Sequence, residues 1–345
     1  MNIKNDYSGN NLGKYYLIQK LGNGGFGSVY KVFDKILGVE KALKIMEVSN
    51  PKEAYKLFSE AAIPYKCKHN NVIKINSGEI VEFNGELLFV IDMDLANGKS
   101  IDSILKSSYL SVNQSLEIVR NILFAVEYSH LQGIIHRDIK PANILIDNEI
   151  PKLADFGLST ALGKTIIPWR WYVTHAAPET FFDNSIATVQ TDIYALGMTL
   201  YRMVNGISDW ELFLQSIPDV KKSIESGKLI NKLPMLPFIP EKVIRIIKKA
   251  CNIDPQKRYS SASEMRNAIE KLQPLYSWIK VSEFNWIGSS VGNPQKEIYI
   301  EPNNKFIKVS IYNNNRKSSS DSKKFTEMMQ AKDYVYNYIK QTTIK

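Results

Sequence analysis

Hydropathy along the chain changes period once, near residue 100, and that change calls for a β-rich part followed by an α-rich part. Before it, residues 15–48 read as strand, glycine turn, strand, strand, with runs at Tyr15–Leu21, Ser28–Asp34 and Glu40–Met46. Residues 51–66 read as a helix, and Pro51 suits its first turn. Val72–Ser77 and Glu86–Met93 are further strand-like runs, with the hairpin signal Asn84-Gly85 between them. The first 95 residues thus predict a small antiparallel sheet with one helix.

After residue 100, Leu116, Val119, Leu123, Val126 and Tyr128 mark one long helix ending near Gly133. Ile193–Val204 and Val243–Ala250 are buried-helix candidates. Helical pattern runs to about Leu272, and Pro274 marks a boundary. Beyond it, Glu297–Glu301 and Phe306–Tyr312 alternate around Pro302-Asn303-Asn304, and a polar loop spans Asn313–Ser320. Asp321–Gln341 reads as a closing helix whose stripe of Phe325, Met328, Met329, Val335 and Ile339 should face a core. Residues 275–345 are expected to form a separate small α+β module.

Composition narrows the class. The 345 residues are 44% hydrophobic and 23% charged, which excludes a largely disordered or fibrous chain. No apolar run reaches membrane-span length, and the polar start MNIKNDYSGNN has no apolar signal core, so a cytoplasmic protein without an integral membrane segment is expected. Two cysteines far apart, Cys67 and Cys251, make neither a disulfide framework nor a zinc site. The net charge is +9, and residues 275–345, with 11 Lys/Arg against 6 Asp/Glu, hold +5 of it. Such a basic segment either is a solvated surface or attracts nucleic acid, acidic protein or anionic lipid.

Chemistry concentrates in three places. Gly22-Asn23-Gly24-Gly25-Phe26-Gly27 lets backbone N–H groups approach phosphate oxygens. It lies between two strands rather than before a helix, which argues against a dinucleotide site. Lys44 sits mid-strand among Ala42, Leu43 and Ile45; a buried ammonium needs a partner, and of Glu53 and Glu60 on the following helix, Glu60 is chosen. In His136-Arg137-Asp138-Ile139-Lys140-Pro141-Ala142-Asn143, an acid, a cation and an amide fall within six residues, and Asp155-Phe156-Gly157 adds a second carboxylate. Two carboxylates and an amide oxygen suit Mg²⁺, which binds oxygen ligands together with phosphates.

In this order the motifs resemble those of the eukaryotic-type (Hanks-type) serine/threonine protein kinases, over residues 14–272. The resemblance implies an α+β, bilobal protein-kinase fold, with a β-rich N-lobe at about 14–95 and a helical C-lobe at about 99–272. It implies transfer of the ATP γ-phosphoryl group to protein Ser/Thr hydroxyls, with ATP and Mg²⁺ as cofactors and autophosphorylation as a further activity. Gly22, Gly24 and Gly27 would cover the ATP phosphates. Leu21, Val29, Ala42, Met93, Asp94, Ala96 and Leu145 would surround the nucleotide, Met93 as gatekeeper. Lys44, paired with Glu60, would hold the α- and β-phosphates. Asp138 would be the catalytic base, with Lys140 beside it, and Asn143 and Asp155 the Mg²⁺ ligands. Lys140 is the serine/threonine pattern. Asp192 would brace the catalytic loop, and Glu179 would pair with Arg258.

Some features depart from the family. Trp171-Tyr172-Val173-Thr174-His175-Ala176 replaces the usual residues before Ala177-Pro178-Glu179, which bears on substrate docking. The Trp169–Tyr172 cluster either packs on the C-lobe or forms a substrate or partner surface. Arg137 could hold a phosphorylated activation segment, with Ser159, Thr160, Thr165 and Thr174 as candidates. Pro64 should kink or end the first helix. Lys323 and Lys324 at the start of the last helix faintly resemble a double-stranded-RNA-binding domain. Small-molecule phosphorylation, or a scaffold whose tail binds a partner or nucleic acid, are the alternatives.

Overall fold

The structure is a computed structural model and describes residues 6–24, 27–48, 65, 67–156, 159–164 and 175–345. Strands β1 (Asn11–Leu12), β2 (Tyr15–Gly24), β3 (Gly27–Asp34), β4 (Val39–Val48), β5 (Ile75–Phe83) and β6 (Glu86–Met93) form one antiparallel sheet ordered β1-β2-β3-β4-β6-β5. Asn84 and Gly85 turn between β5 and β6 with φ of 54° and 82°, the left-handed backbone that a two-residue hairpin needs. The edge strand β5 begins three residues later than the expected Val72–Ser77 and runs six residues further, to Phe83; its polar, exposed Glu79 and Glu82 hide the alternation. The predicted helix at 51–66, with Glu53, Glu60 and Pro64, lies outside the described residues apart from Tyr65.

Alternation along β3, β4 and β6 gives this sheet two faces. One buries Leu17, Tyr30, Val32, Leu43, Ile45, Leu88 and Val90 under Tyr7 and Leu12. The other carries Met46, Val48, Phe89 and Ile91, continuous with Met93.

The helical part begins with α1 (Ile101–Ser107) and α2 (Val112–Leu131). Ser111 and Gln114 form a reciprocal capping box that starts α2, and Gly133 follows its end. Then come β7 (Ile134–Ile135), β8 (Ile144–Asp147), β9 (Ile150–Leu153) and β10 (Thr160–Ala161), with β8 paired to β9 and β7 to β10. The buried helix α3 (Val189–Val204) is followed by α4 (Trp210–Gln215), α5 (Val220–Glu225), α6 (Leu229–Lys232), α7 (Glu241–Ala250) and α8 (Ala262–Glu270). Among the described residues no helix is long and apolar enough to cross a membrane.

The C-terminal segment is richer in strand than its sequence suggests. It forms β11 (Ser277–Ser282), β12 (Asn285–Ser289), β13 (Lys296–Pro302), β14 (Ile307–Asn313), β15 (Arg316–Lys317) and β16 (Lys323–Phe325), and then α9 (Met328–Thr343). A register shift between Lys280 and Ser282 breaks the period of the first hairpin, and its Glu283-Phe284 turn has no glycine signal, so β11 and β12 were not legible. Lys323 and Lys324 lie on edge strand β16 rather than at a helix start, because Phe325 pairs with Ile307. Val335 and Ile339 are buried as expected, whereas Met329 is 69% exposed and is not a core residue.

This segment shares one hydrophobic core with the helical part. Tyr109, Val112 and Phe238 meet Trp278, Trp286, Ile339 and Thr343 around a small void. Asn113 Nδ2 donates to the carbonyls of Tyr276 (3.0 Å) and Thr343 (3.3 Å), and Lys340 pairs with Glu241 at 2.6 Å.

Candidate active site

One face of the first sheet supplies the upper wall of a cleft. Val29 lies opposite Lys44, Lys44 opposite Ile91, and Ala42 opposite Met93, so period-2 geometry places these side chains together. Gly22 pairs with Val29 and Gly24 with Gly27. Gly27 has φ +142°, and a Cβ there would collide with the Ile45 carbonyl, so a side chain cannot replace it without moving the turn. Leu21 is half-exposed at 47% above this face. Asp94 is exposed and Ala96 half-buried on the segment leaving β6, and half-buried Leu145 stands on β8. Ile91 belongs to this wall and was missed by sequence reasoning; its two-residue spacing from Met93 was the available signal.

Lys44 is only 4% exposed, and its Nζ meets Asp155 Oδ1 at 2.5 Å. A buried ammonium is costly unless paired, and the chain supplies its partner from 111 residues away. Glu60, the expected partner, lies outside the described residues, as does Gly157.

The lower wall is the loop between β7 and β8. Lys140 Nζ donates to Asp138 Oδ2 at 2.8 Å. Asn143 Nδ2 donates both to that oxygen (2.9 Å) and to the Asp138 carbonyl (2.8 Å). Both sides of the site join through Ala154: its N–H donates to the Asn143 carbonyl at 2.8 Å, and its carbonyl lies 3.1 Å from His136 Nε2. The His136 and Phe156 rings meet edge to face, with centroids 4.4 Å apart.

Asp192, fully buried on α3, holds this loop from behind. Its carboxylate accepts the backbone N–H of His136 (2.9 Å) and of Arg137 (2.8 Å), and it meets His130 Nε2 at 2.9 Å. Arg137 has φ +70°, a strained angle for a side-chain-bearing residue, and these bonds fix it. Burial pushes the Asp192 carboxyl up, but its hydrogen bonds and the nearby histidines outweigh this and hold it below the usual range. Asp155 also has a left-handed backbone, φ +57°.

A second anchor lies below. Arg258 is buried and grips Glu179 in a two-pronged pair of 2.7 and 2.8 Å. Its Nε donates to the Asn252 carbonyl at 2.7 Å, and its guanidinium lies 5.0 Å from the Tyr194 ring. Of the four expected modification sites, Ser159 is buried with its hydroxyl donated to the Phe156 carbonyl at 2.7 Å, and Thr160 lies on β10. Thr165, Thr174 and the Trp169–Tyr172 cluster lie outside the described residues.

The protein kinase domain family matches residues 15–270. The chain is 32% identical over 271 residues to the serine/threonine-protein kinase PrkC of Bacillus subtilis, covering 75% of this chain and 40% of that one. It is 27% identical over 256 residues to the serine/threonine-protein kinase SIK1 of Mus musculus, covering 73% and 32%. It is 28% identical over 274 residues to the serine/threonine-protein kinase PknH of Mycobacterium tuberculosis, covering 74% and 41%. The chain thus spans less than half the length of these relatives.

Proposed function

The chain belongs to the protein kinase family, and from that premise we propose that it is a serine/threonine protein kinase that moves the γ-phosphoryl group of ATP to protein hydroxyls. The observation that carries the reading is the joining of Lys44–Asp155 to the Asp138–Lys140–Asn143 cluster through Ala154.

The roles follow from that geometry. The Val29, Ala42, Ile91 and Met93 face receives the adenine, with Leu21, Asp94, Ala96 and Leu145 at its margins. The backbone of Gly22, Gly24 and Gly27 covers the phosphates, and Lys44 offsets their charge, with Glu60 as a second partner. Asp138 accepts a hydrogen bond from the attacking hydroxyl, orients it and takes its proton. Lys140, already on Asp138 Oδ2, supplies positive charge where the transferred group carries negative charge.

Asn143 and Asp155 fit a divalent cation. Both Asn143 Nδ2 contacts go to Asp138, so its Oδ1 is the atom left to coordinate, and Asp155 adds carboxylate oxygen. Among the described residues no cluster of three or more His, Cys, Asp or Glu side chains is placed to hold a metal ion. When bound, Mg²⁺ would neutralise phosphate charge. Buried, unpaired thiols at Cys67 and Cys251 support a reducing, cytoplasmic setting.

The test incubates the full chain with γ-labelled ATP, Mg²⁺ and casein and identifies the labelled amino acids. Label on Ser or Thr that disappears in Asp138→Ala is the expected result. ATP binding with no transfer to any protein would refute it.

A further inference from the structure

The loop joining β15 to β16 contains the chain's one run of three serines, Ser318-Ser319-Ser320, followed by Asp321 and Ser322. The serines have two kinds of work. Ser318 donates its hydroxyl to Asp321 Oδ2 at 2.8 Å, and its N–H goes to the Ile311 carbonyl. Ser322 Oγ donates to the Ser318 carbonyl at 2.6 Å and accepts from the Ile311 N–H at 3.1 Å. These two staple the loop to β14. Asp321 is anchored in turn, its carbonyl taking the Tyr334 hydroxyl of α9 at 2.8 Å.

Ser319 and Ser320 are exposed at the tip. Among the described residues Ser319 has no hydrogen-bond partner for its hydroxyl, and Ser320 touches only Ser318, at 3.2 Å. Arg316, Lys317, Lys323 and Lys324, all exposed, flank them. The strands that flank the staples are short edge strands: β15 pairs over two residues and β16 over three. Short edge strands of this kind are drawn from the less stable end of a fold, and releasing the Ser318, Asp321 and Ser322 bonds would present the tip as an extended segment.

We propose that Ser319 and Ser320 are phosphoacceptor sites of this kinase, modified by a second copy of the chain; this rests on the kinase reading above. The Ser Oγ forms a bond to the γ-phosphorus as the bond from that phosphorus to the β,γ-bridging oxygen breaks. The hydroxyl proton passes to Asp138, and ADP leaves with the electron pair. Transfer is assigned to a second copy because the C-terminal segment is held, through the carbonyls of Tyr276 and Thr343, by Asn113 at the start of α2, whereas the catalytic loop follows the other end of this 20-residue helix, whose length is about 30 Å. Each modification places about −2 charge among four cations and offsets part of the segment's excess of +5.

The experiment uses full-length Asp138→Ala, tagged, as acceptor for untagged wild-type enzyme with ATP and Mg²⁺, with casein in a parallel tube. Peptide mass spectrometry of the tagged chain should show phosphate on Ser319 or Ser320 and none on Ser318 or Ser322. That signal should vanish when the acceptor also carries Ser319→Ala and Ser320→Ala. Casein phosphorylated while residues 318–322 stay unmodified would overturn this inference and leave the kinase reading intact. Failure to modify casein as well would remove both.

Discussion

Lys44 Nζ and Asp155 Oδ1 stand 2.5 Å apart, joining the sheet to the segment after β9 across the cleft. The pair keeps a buried ammonium satisfied and lies where phosphates and a cation would compete for the same two groups. Asp155→Asn is therefore expected to abolish the Mg²⁺-dependent part of the ATP-induced rise in Tm while leaving the circular dichroism spectrum unchanged. Lys44→Met should weaken ATP itself. Thermal-shift titrations with ATP, with and without Mg²⁺, separate the two effects; equal Mg²⁺ dependence in Asp155→Asn and wild type would contradict the assignment.

Asp192→Ala leaves the His136 and Arg137 N–H groups without their acceptor in the interior and frees the strained Arg137 backbone. Removing one member of such a buried set costs about 3 kcal/mol. At about 2–4 °C per kcal/mol for chains of this order, Tm should fall by about 6–12 °C, with activity lost even below the new Tm. Calorimetry and an assay at low temperature check both parts.

The sheet, its glycine turn and the catalytic-loop cluster were legible because short-range chemistry dictates them. Val29, Ala42, Lys44 and Met93 share a face through strand alternation, and Asp138 and Asn143 meet within one loop. The Lys44–Asp155 contact was not legible, since its partners are 111 residues apart and sequence offered a nearer carboxylate. The β11–β12 hairpin was missed because a register shift interrupts its period, and the closing helix was extended over β16 because Phe325 fits a helical stripe and a half-buried position on an edge strand equally.

His175, just before Ala176 and Ala177, is buried with its ring 5.2 Å from that of Trp210 on α4. Burial lowers its pKa, the nearby charges of Arg202 and Lys140 lower it further, and Asp102 opposes them, leaving it at about 3. The folded chain therefore binds fewer protons here than the unfolded chain. This stability is full above about pH 6.5 and is lost as pH falls from there toward the folded value, by up to about 1.4 kcal/mol per pH unit. Urea unfolding at pH 7, 6 and 5 should show that decline, and His175→Gln should flatten it by one proton's share.

The C-terminal segment closes the helical core, so removing it is not a neutral deletion. A chain ending at Leu272 uncovers Tyr109, Val112 and Phe238 and strands the Asn113 amide. It should show a lower Tm than the full chain and bind a hydrophobic dye. An unchanged Tm would mean that the segment contributes nothing to the helical part.

The most direct test of the account pairs two measurements on wild type and Asp138→Asn: ATP affinity in the presence of Mg²⁺, and the rate of phosphoryl transfer to protein Ser or Thr. Asp138 hydrogen-bonds Lys140 and Asn143 on the loop between β7 and β8, a different element from the sheet face proposed to receive the adenine. The prediction is ATP affinity within about threefold of wild type, since a 0.6 kcal/mol change is about that size. The rate constant for transfer should fall by about 10²–10⁴-fold. Transfer by Asp138→Asn at the wild-type rate, or no transfer by the wild type although ATP binds, would contradict it.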